Sequence, residues 1–165
     1  MGKKAKKELR FDTKQYFNDC SYCKNCPAKI YQKENGTILY GKGNLFADIM
    51  FVLPIECYGN EDVIAHLNTI CWNIVNKDSE YITYHPKCKA NSPVEGYEDI
   101  CKYHLFHEIS KIEPKKIVFF GVDIPDELKC FSNIYKLNNL LSIYYDFNKI
   151  LKFRNELKEI IYGTS

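Results

Sequence analysis

Short apolar runs rich in β-branched and aromatic residues recur along the chain, bounded by turn residues. This pattern predicts buried strands at Ala47–Leu53 and at Lys116–Gly121, the first of them in a parallel sheet, and another strand between them at 80–84. A fourth run, Leu140–Tyr145, predicts a further strand. The shorter apolar run Thr37–Tyr40 enters a glycine turn.

Helical periodicity separates these strands. From Glu61 to Val75, apolar residues recur three and four positions apart, which predicts an amphipathic helix. A second helix is predicted from about Tyr97 until Pro114 breaks it, and a third from about Asn148 to Ile161. Strands that alternate with helices predict a single-domain, three-layer α/β/α fold with a mostly parallel central sheet.

An open α/β sheet binds ligands beyond the carboxyl ends of its strands. In this chain that rule selects four segments as the candidate site: Leu53–Gly59, Tyr84–Lys89, Gly121–Asp123 and Asp146–Lys149.

Composition favours one folded domain with a basic tail. Of the 165 residues, 45% are hydrophobic and 15% aromatic, so residues 13–165 are expected to bury a core. The tail, residues 1–12, includes Lys3, Lys4, Lys6 and Lys7 and is either a phosphate-contacting arm or a solubilising extension. The net charge is only +2, so nucleic-acid binding would depend on local basic patches.

The eight cysteines are read as metal ligands and buried thiols. No apolar run approaches the roughly 18 residues of a membrane span, and an intracellular, reducing setting is expected. Cys20, Cys23 and Cys26 are spaced by three, while Cys88 and Cys101 are expected at a strand end and a helix start. Such thiols can hold a 4Fe–4S cluster or zinc. The remaining cysteines, Cys57, Cys71 and Cys130, are expected to be packed thiols. His104 and His107 are expected to be partly exposed.

The order of several motifs resembles the iron–sulfur branch of the uracil-DNA glycosylase superfamily, over about residues 20 to 160. These motifs are a cysteine pair, Tyr40-Gly-Lys-Gly43, Ala47-Asp-Ile-Met-Phe-Val52, Tyr81-Ile-Thr83 with Lys87-Cys88, Cys101, and Glu108-Ile-x-x-Ile-x-Pro-Lys-x-Ile-Val-x-x-Gly121. The resemblance implies a 4Fe–4S cluster that staples the N-terminal segment to the sheet. Its implied ligands are Cys23, Cys26, Cys88 and Cys101, with Cys20 as the alternative N-terminal ligand and zinc as the alternative metal.

The chain departs from that family where the chemistry should be. Leu53–Gly59 stands where the family has a Gly-Glu-Ala-Pro-Gly loop, and its Glu56 is displaced by two positions. The following Pro-Phe pair is deleted between Asp62 and Ala65, and Tyr84 replaces the base-reading asparagine. Tyr145-Asp146-Phe147 stands where a late His-Pro motif is expected, while His85-Pro86 carries such a pair in another strand.

The favoured hypothesis is a catalytically degenerate glycosylase-like protein that binds nucleic acid, DNA rather than RNA. It would act alone or in a replication, repair or transcription complex, in the cytoplasm or at the nucleoid, and not at a membrane. Tyr84, His85, Phe147 and the tail lysines are its candidate nucleic-acid contacts. One alternative is an active enzyme in which Glu56 or Asp146 activates water and Tyr84 or Phe147 stacks the base. Another is a metal-binding protein without a nucleic-acid role.

Overall fold

A five-stranded mixed sheet forms the centre of the fold in the computed structural model. The structure describes residues 37–38, 41–85, 88–89, 98–146 and 148–163. The strands are β1 (Thr37–Ile38), β2 (Lys42–Gly43), β3 (Ile49–Pro54), β4 (Glu80–His85), β5 (Cys88–Lys89), β6 (Lys116–Phe120) and β7 (Ile134–Leu137). The helices are α1 (Glu61–Cys71), α2 (Glu98–Ile112) and α3 (Asn148–Tyr162). The basic tail, residues 1–12, lies outside the described residues.

The strand order in the main sheet is β2-β4-β3-β6-β7. Four of these strands run parallel, and only the short edge strand β2 is antiparallel to its neighbour β4. Met50 in the middle of β3 pairs with Tyr81 on one side and with Ile117 on the other. The predicted mostly parallel sheet is confirmed. Strands β1 and β5 form a separate antiparallel pair.

Helices cover both faces of this sheet, which makes the three predicted layers. Phe51 and Leu53 of β3 point into a core shared with α1 and α3. Met50 and Val52 point the other way, into a core shared with Leu105 and Ile112 of α2. All six residues of β3 are buried, which explains why the strand reads as a continuous apolar run rather than an alternating one.

Helix α1 begins at a side-chain cap and ends at a change of backbone conformation. The Asn60 side chain accepts a hydrogen bond from the Val63 amide at 3.3 Å, and Glu61 and Asp62 occupy the first turn, where negative charge is favourable. The helix ends at Cys71, four residues before the predicted Val75. Asn73 follows with a positive φ of 60°, a conformation that does not continue a helix.

The prediction of a strand at Leu140–Tyr145 is wrong. This segment is a 3-10 helix, and the strand that extends the sheet is β7, a few residues earlier. Asn139 explains the difference: its side chain accepts a hydrogen bond from the Leu141 amide at 3.0 Å, and its carbonyl accepts one from the Ser142 hydroxyl at 2.7 Å. These local bonds favour a turn over sheet pairing.

Two of the three thiols expected to be packed are buried, namely Cys57 and Cys71. The expectation for Cys130 is wrong, because it lies exposed on the turn between β6 and β7. Among the described residues, no helix is both long enough and apolar enough to cross a membrane.

The glycine at the end of β6 offers a test of how tightly the strand ends pack. Gly121 and Gly59 both have positive φ, 68° and 74°, but a Cβ on Gly121 would lie 2.5 Å from the Asn139 Cβ, whereas one on Gly59 would meet nothing within 4 Å. We expect Gly59→Ala to cost about 1 kcal/mol, from backbone strain alone. Gly121→Ala should cost a further 1–3 kcal/mol or so, because the clash adds overpacking. Urea unfolding of the two variants measures the difference, and equal losses would contradict the packing described here.

Candidate functional site

The parallel strands bring most of the predicted site segments to one edge of the sheet. Pro54, the last residue of β3, pairs with His85, the last residue of β4. At the other end of this edge, the Gly121 amide after β6 donates a 2.8 Å hydrogen bond to the Leu137 carbonyl, at the end of β7. The segments Leu53–Gly59, Tyr84–His85 and Gly121–Asp123 therefore lie along the same carboxyl edge.

The two candidate acids are not presented in the way a catalytic carboxylate requires. Glu56 lies in a 3-10 turn directly after β3, and its side chain is exposed, whereas Cys57 beside it is fully buried. Asp146 instead organises the start of α3: its carboxylate accepts a hydrogen bond from the Asn148 amide at 3.1 Å, and its carbonyl accepts one from Lys149 at 3.1 Å. Asp146 thus has a turn-forming role that competes with a catalytic one.

The Cys57 thiol is unreactive in this setting. Burial, together with the neighbouring negative charge of Glu56, raises the pKa of the Cys57 thiol from 9.0 to about 12. A thiol with such a pKa is protonated at neutral pH and is a poor nucleophile. The edge therefore gains no reactive cysteine from this residue.

Tyr84, the residue in place of the family's asparagine, lines a cleft of about 490 Å³ beside the edge strand β2. Its ring meets Tyr58 edge-on, with 5.4 Å between the ring centroids, and only 8% of the residue is exposed. Burial, and then the proximity of Cys57 and Tyr58, raise the pKa of Tyr84. Lys42 and Glu61 also line this cleft. Tyr84 is therefore largely enclosed and does not offer an open stacking surface.

A second cleft, of about 590 Å³, lies against His85 on the α2 side of the edge. Three ion pairs line it: Lys102–Glu127 at 2.9 Å, Lys129–Asp126 at 2.7 Å and Lys136–Asp123 at 2.8 Å. Hydrogen bonding and the charge of its lysine partner lower the pKa of each carboxyl group. The three positive charges are thus matched by three negative ones, and a phosphate would have to displace the carboxylates.

Sequence analysis did not single out these lysines. The partners in two of the three pairs are far apart along the chain, so no local spacing reveals them. Lys129–Asp126 is the exception, a pair three residues apart that also occurs on ordinary solvated surfaces.

The backbone places two of the proposed cluster ligands around the same edge. Strand β4 ends at His85, so Cys88 does not end it as predicted but lies in the separate strand β5. Cys101 is the fourth residue of α2, and this helix leads from the carboxyl edge back to the beginning of β6. Within the described part of the chain, no three His, Cys, Asp or Glu residues are grouped as a metal site would require. Cys20, Cys23 and Cys26 lie outside that part, as do Phe147 and the tail lysines.

Strand β5 pairs with β1, and this pairing matters for the cluster. Ile38 of β1 is the register partner of Cys88, and Thr37 is the partner of Lys89. Strand β1 is the first described segment after the three N-terminal cysteines. Of the chain that follows those cysteines, residues 37–38 therefore pair with the strand that contains Cys88.

A buried polar network joins α2 to β4 and was missed by sequence analysis. Glu108 is fully buried, and its carboxylate accepts a 2.7 Å hydrogen bond from the Tyr81 hydroxyl. The Thr83 hydroxyl lies 3.0 and 2.9 Å from the two carboxylate oxygens. The signal that could have revealed it is a carboxylate within the apolar stripe of α2, between Leu105 and Ile112.

Of the two histidine predictions for α2, one is confirmed and one is wrong. His107 is exposed, as expected, but the expectation for His104 is wrong, because only 1% of it is exposed. His104 lies one turn before Glu108, so these two buried side chains share the side of α2 that packs on the sheet.

Comparison with known proteins does not extend this description. No model of a known protein family matches the chain, and a search of curated proteins finds no match.

The Tyr81–Glu108 hydrogen bond is the most testable part of the network. Burial, then the negative charge of Glu108 and the hydrogen bond to it, raise the pKa of Tyr81. We expect Tyr81→Phe to lose about 2 kcal/mol of unfolding free energy at pH 7, because a bond to a buried carboxylate is lost. Tyr135→Phe, in β7, is the matched control and should lose less.

The pH dependence tests whether the folded protein keeps the Tyr81 hydroxyl protonated, as burial and the neighbouring Glu108 both favour. Above pH 10, the unfolded wild-type chain releases the Tyr81 proton while the folded chain retains it, so wild-type stability falls as pH rises. The Phe variant lacks this loss, and its deficit should shrink by roughly 1.4 kcal/mol per pH unit. Urea unfolding at pH 7 and pH 11 measures the stability difference between wild type and variant, and a deficit independent of pH would show that the pKa of Tyr81 is not raised in the folded protein.

Proposed function

We propose that this chain is an iron–sulfur, uracil-DNA glycosylase-like protein that is catalytically degenerate and acts by binding nucleic acid, DNA in particular. It would work in the cytoplasm or at the nucleoid, alone or as a subunit of a replication, repair or transcription complex. The observation that carries the proposal is the pairing of β1 with β5 beside the carboxyl edge of an α/β sheet.

This pairing supports the proposed cluster because it brings part of the chain that follows the N-terminal cysteines next to Cys88. Cys26 and Ile38 are separated by twelve positions, and Ile38 lies beside Cys88. A chain extends by up to about 3.3–3.6 Å per residue, so the N-terminal thiols can fold back to Cys88 without strain. A strand next to the edge and the first turn of α2 would then supply Cys88 and Cys101, and the N-terminal segment would supply Cys23 and Cys26.

Four thiolates are a donor set that suits either a 4Fe–4S cluster or zinc. The family resemblance favours iron. When bound, the group would contribute folding free energy, because ligands from three separate segments are ordered together only by the metal. The chain's own residues would stabilise that arrangement, since the Glu108 network fixes α2, the helix that carries Cys101, against β4.

The carboxyl edge supports the loss of base excision. A general base must reach a water molecule next to the bound base. Glu56 is exposed on its turn, Asp146 is engaged at the start of α3, and the Tyr84 ring is buried against Tyr58. Each position that the family uses for chemistry therefore has a local structural role here or faces solvent.

The cluster is tested by the metal content of the isolated protein. We expect aerobic purification to yield a brown protein with broad visible absorption and about four irons per chain. Cys88→Ser and Cys101→Ser should each lower the iron content and the soluble yield, because metal binding and folding are coupled. Cys20→Ser and the exposed Cys130→Ser are matched controls and should retain both. A colourless protein carrying one zinc would replace iron by the alternative metal, and equal losses at Cys20 would mean that the wrong N-terminal pair is assigned.

The loss of catalysis is tested by an excision assay on uracil-containing single and double strands. We expect no detectable base release, because loss of one transition-state contact costs about a hundredfold in rate and several are absent together. Binding of the same DNA should persist, weaken as salt rises, and weaken further when residues 1–10 are removed. Base release that Glu56→Gln or Asp146→Asn abolishes, with iron content intact, would establish the active enzyme instead. Absence of binding at low salt would favour the metal-binding protein without a nucleic-acid role.

A further inference from the structure

Exposed apolar side chains are concentrated on the outer surface of the α1–α3 layer. Five large hydrophobic side chains stand out as exposed among the described residues, and three of them lie here: Trp72 (70% exposed), Leu151 (64%) and Tyr162 (67%). Trp72 directly follows α1, and the other two are on α3. Together with Arg154 and Lys158, they are called the Trp72 face below.

A cleft of about 600 Å³ opens between the two helices at this face. Trp72 and Thr69 form its α1 wall, and Ile150, Leu151 and Arg154 form its α3 wall. Trp72 and Leu151 thus both line an open, largely apolar cleft. An exposed aromatic ring beside such a cleft is the kind of surface on which a nucleobase can stack.

The backbone under Trp72 is held rigidly although its ring is open. The Arg154 guanidinium donates hydrogen bonds to the carbonyls of Thr69 at 2.8 Å, Ile70 at 3.1 Å and Trp72 at 2.8 Å. These carbonyls form the negative end of α1, where a cation is favourable. A ring mounted on a fixed backbone loses little conformational freedom when a ligand stacks on it.

Positive charge accompanies the exposed rings. Leu151, Arg154, Lys158 and Tyr162 recur along one side of α3, and residues 148–155 contain three basic residues and no acidic one. On the other side of Trp72, the exposed Lys77 lines a neighbouring cleft. Acidic groups are present as well: Glu80 lines that same cleft, and Glu156 and Glu159 lie on α3; burial raises the pKa of Glu80.

We propose that the Trp72 face binds single-stranded nucleic acid, with a base stacked on the Trp72 ring and phosphates beside Lys158 and Lys77. Aromatic rings interleaved with basic side chains match the alternating bases and phosphates of a single strand, and base stacking needs no particular sequence. A duplex keeps its bases stacked internally and offers none to Trp72. The inference rests on the proposed function and adds a contact surface on the helical layer, separate from the carboxyl edge.

Trp72 is the only tryptophan in the chain, so its fluorescence reports directly on this face. The full-length protein is titrated with a fluorescein-labelled oligothymidylate of about 20 nucleotides, followed by anisotropy, and with the unlabelled oligonucleotide, followed by tryptophan emission. We expect Trp72 emission to be quenched with the same midpoint as the anisotropy change. A duplex of equal length should quench it far less.

Three variants accompany the titration. Trp72→Ala should weaken binding roughly tenfold, whereas Trp72→Phe, which keeps a ring, should lose less. Phe131→Ala removes a comparably exposed aromatic residue (55%) away from the face and should bind as wild type does. Lys158→Glu tests the face through charge and should weaken binding even if Trp72→Ala fails to fold, which circular dichroism and thermal unfolding will show.

Each other outcome has a distinct meaning. Binding with unchanged tryptophan emission, and with wild-type affinity in Trp72→Ala and Lys158→Glu, overturns this inference and leaves the proposed function intact. No anisotropy change at low salt with the oligothymidylate overturns the inference, and no change with a labelled duplex either overturns the proposed function as well. A blue shift of Trp72 emission that depends on protein concentration, without oligonucleotide, identifies the face as a protein contact and overturns the inference.

Discussion

Strand β3 hydrogen-bonds to a parallel strand on each side and buries all six of its side chains. A strand buried on both faces is stable only if each face is covered, and parallel neighbours require crossover connections long enough to supply the cover. Helix α1 crosses over one face between β3 and β4, and α2 crosses over the other between β4 and β6. The position of every other element, and the collection of loops at one edge, follow from this arrangement.

The polar network around Glu108 adds a specific link to this apolar frame. An apolar interface alone allows a helix to slide or rotate by small amounts, whereas a buried carboxylate must retain its hydrogen-bond partners. Tyr81 and Thr83 point from β4 to α2, and Glu108 meets both. Cys101 belongs to the same helix, so the network also holds in place the backbone segment that contains a proposed cluster ligand.

The carboxyl edge and the Trp72 face differ in ways that bear on function. At the edge, the charged groups are paired with one another and Tyr84 is enclosed. On the helical layer, by contrast, two aromatic rings are open and the basic residues of α3 outnumber the acidic ones nearby. A protein that had lost base excision but retained nucleic-acid binding would be expected to show this distribution, since binding needs accessible rings and unpaired cations while excision needs an enclosed, polar pocket.

The sequence by itself determined the sheet and its covering helices. Apolar runs such as Ile49–Pro54 have no stable alternative to burial on both faces, and the amphipathic periodicity of α1 and α3 follows from the same requirement. Only the tertiary structure decided which polar groups are buried. Glu108 and Tyr81 are 27 residues apart, and Arg154 reaches Thr69 across 85 residues, so no local pattern encodes either contact. The predicted strand at Leu140–Tyr145 and the predicted packing of Cys130 are wrong because apolar character alone does not show whether a segment packs against another element. The hydrogen bonds of Asn139 decided the conformation of the first segment, and the position of Cys130 on an exposed turn decided the second outcome.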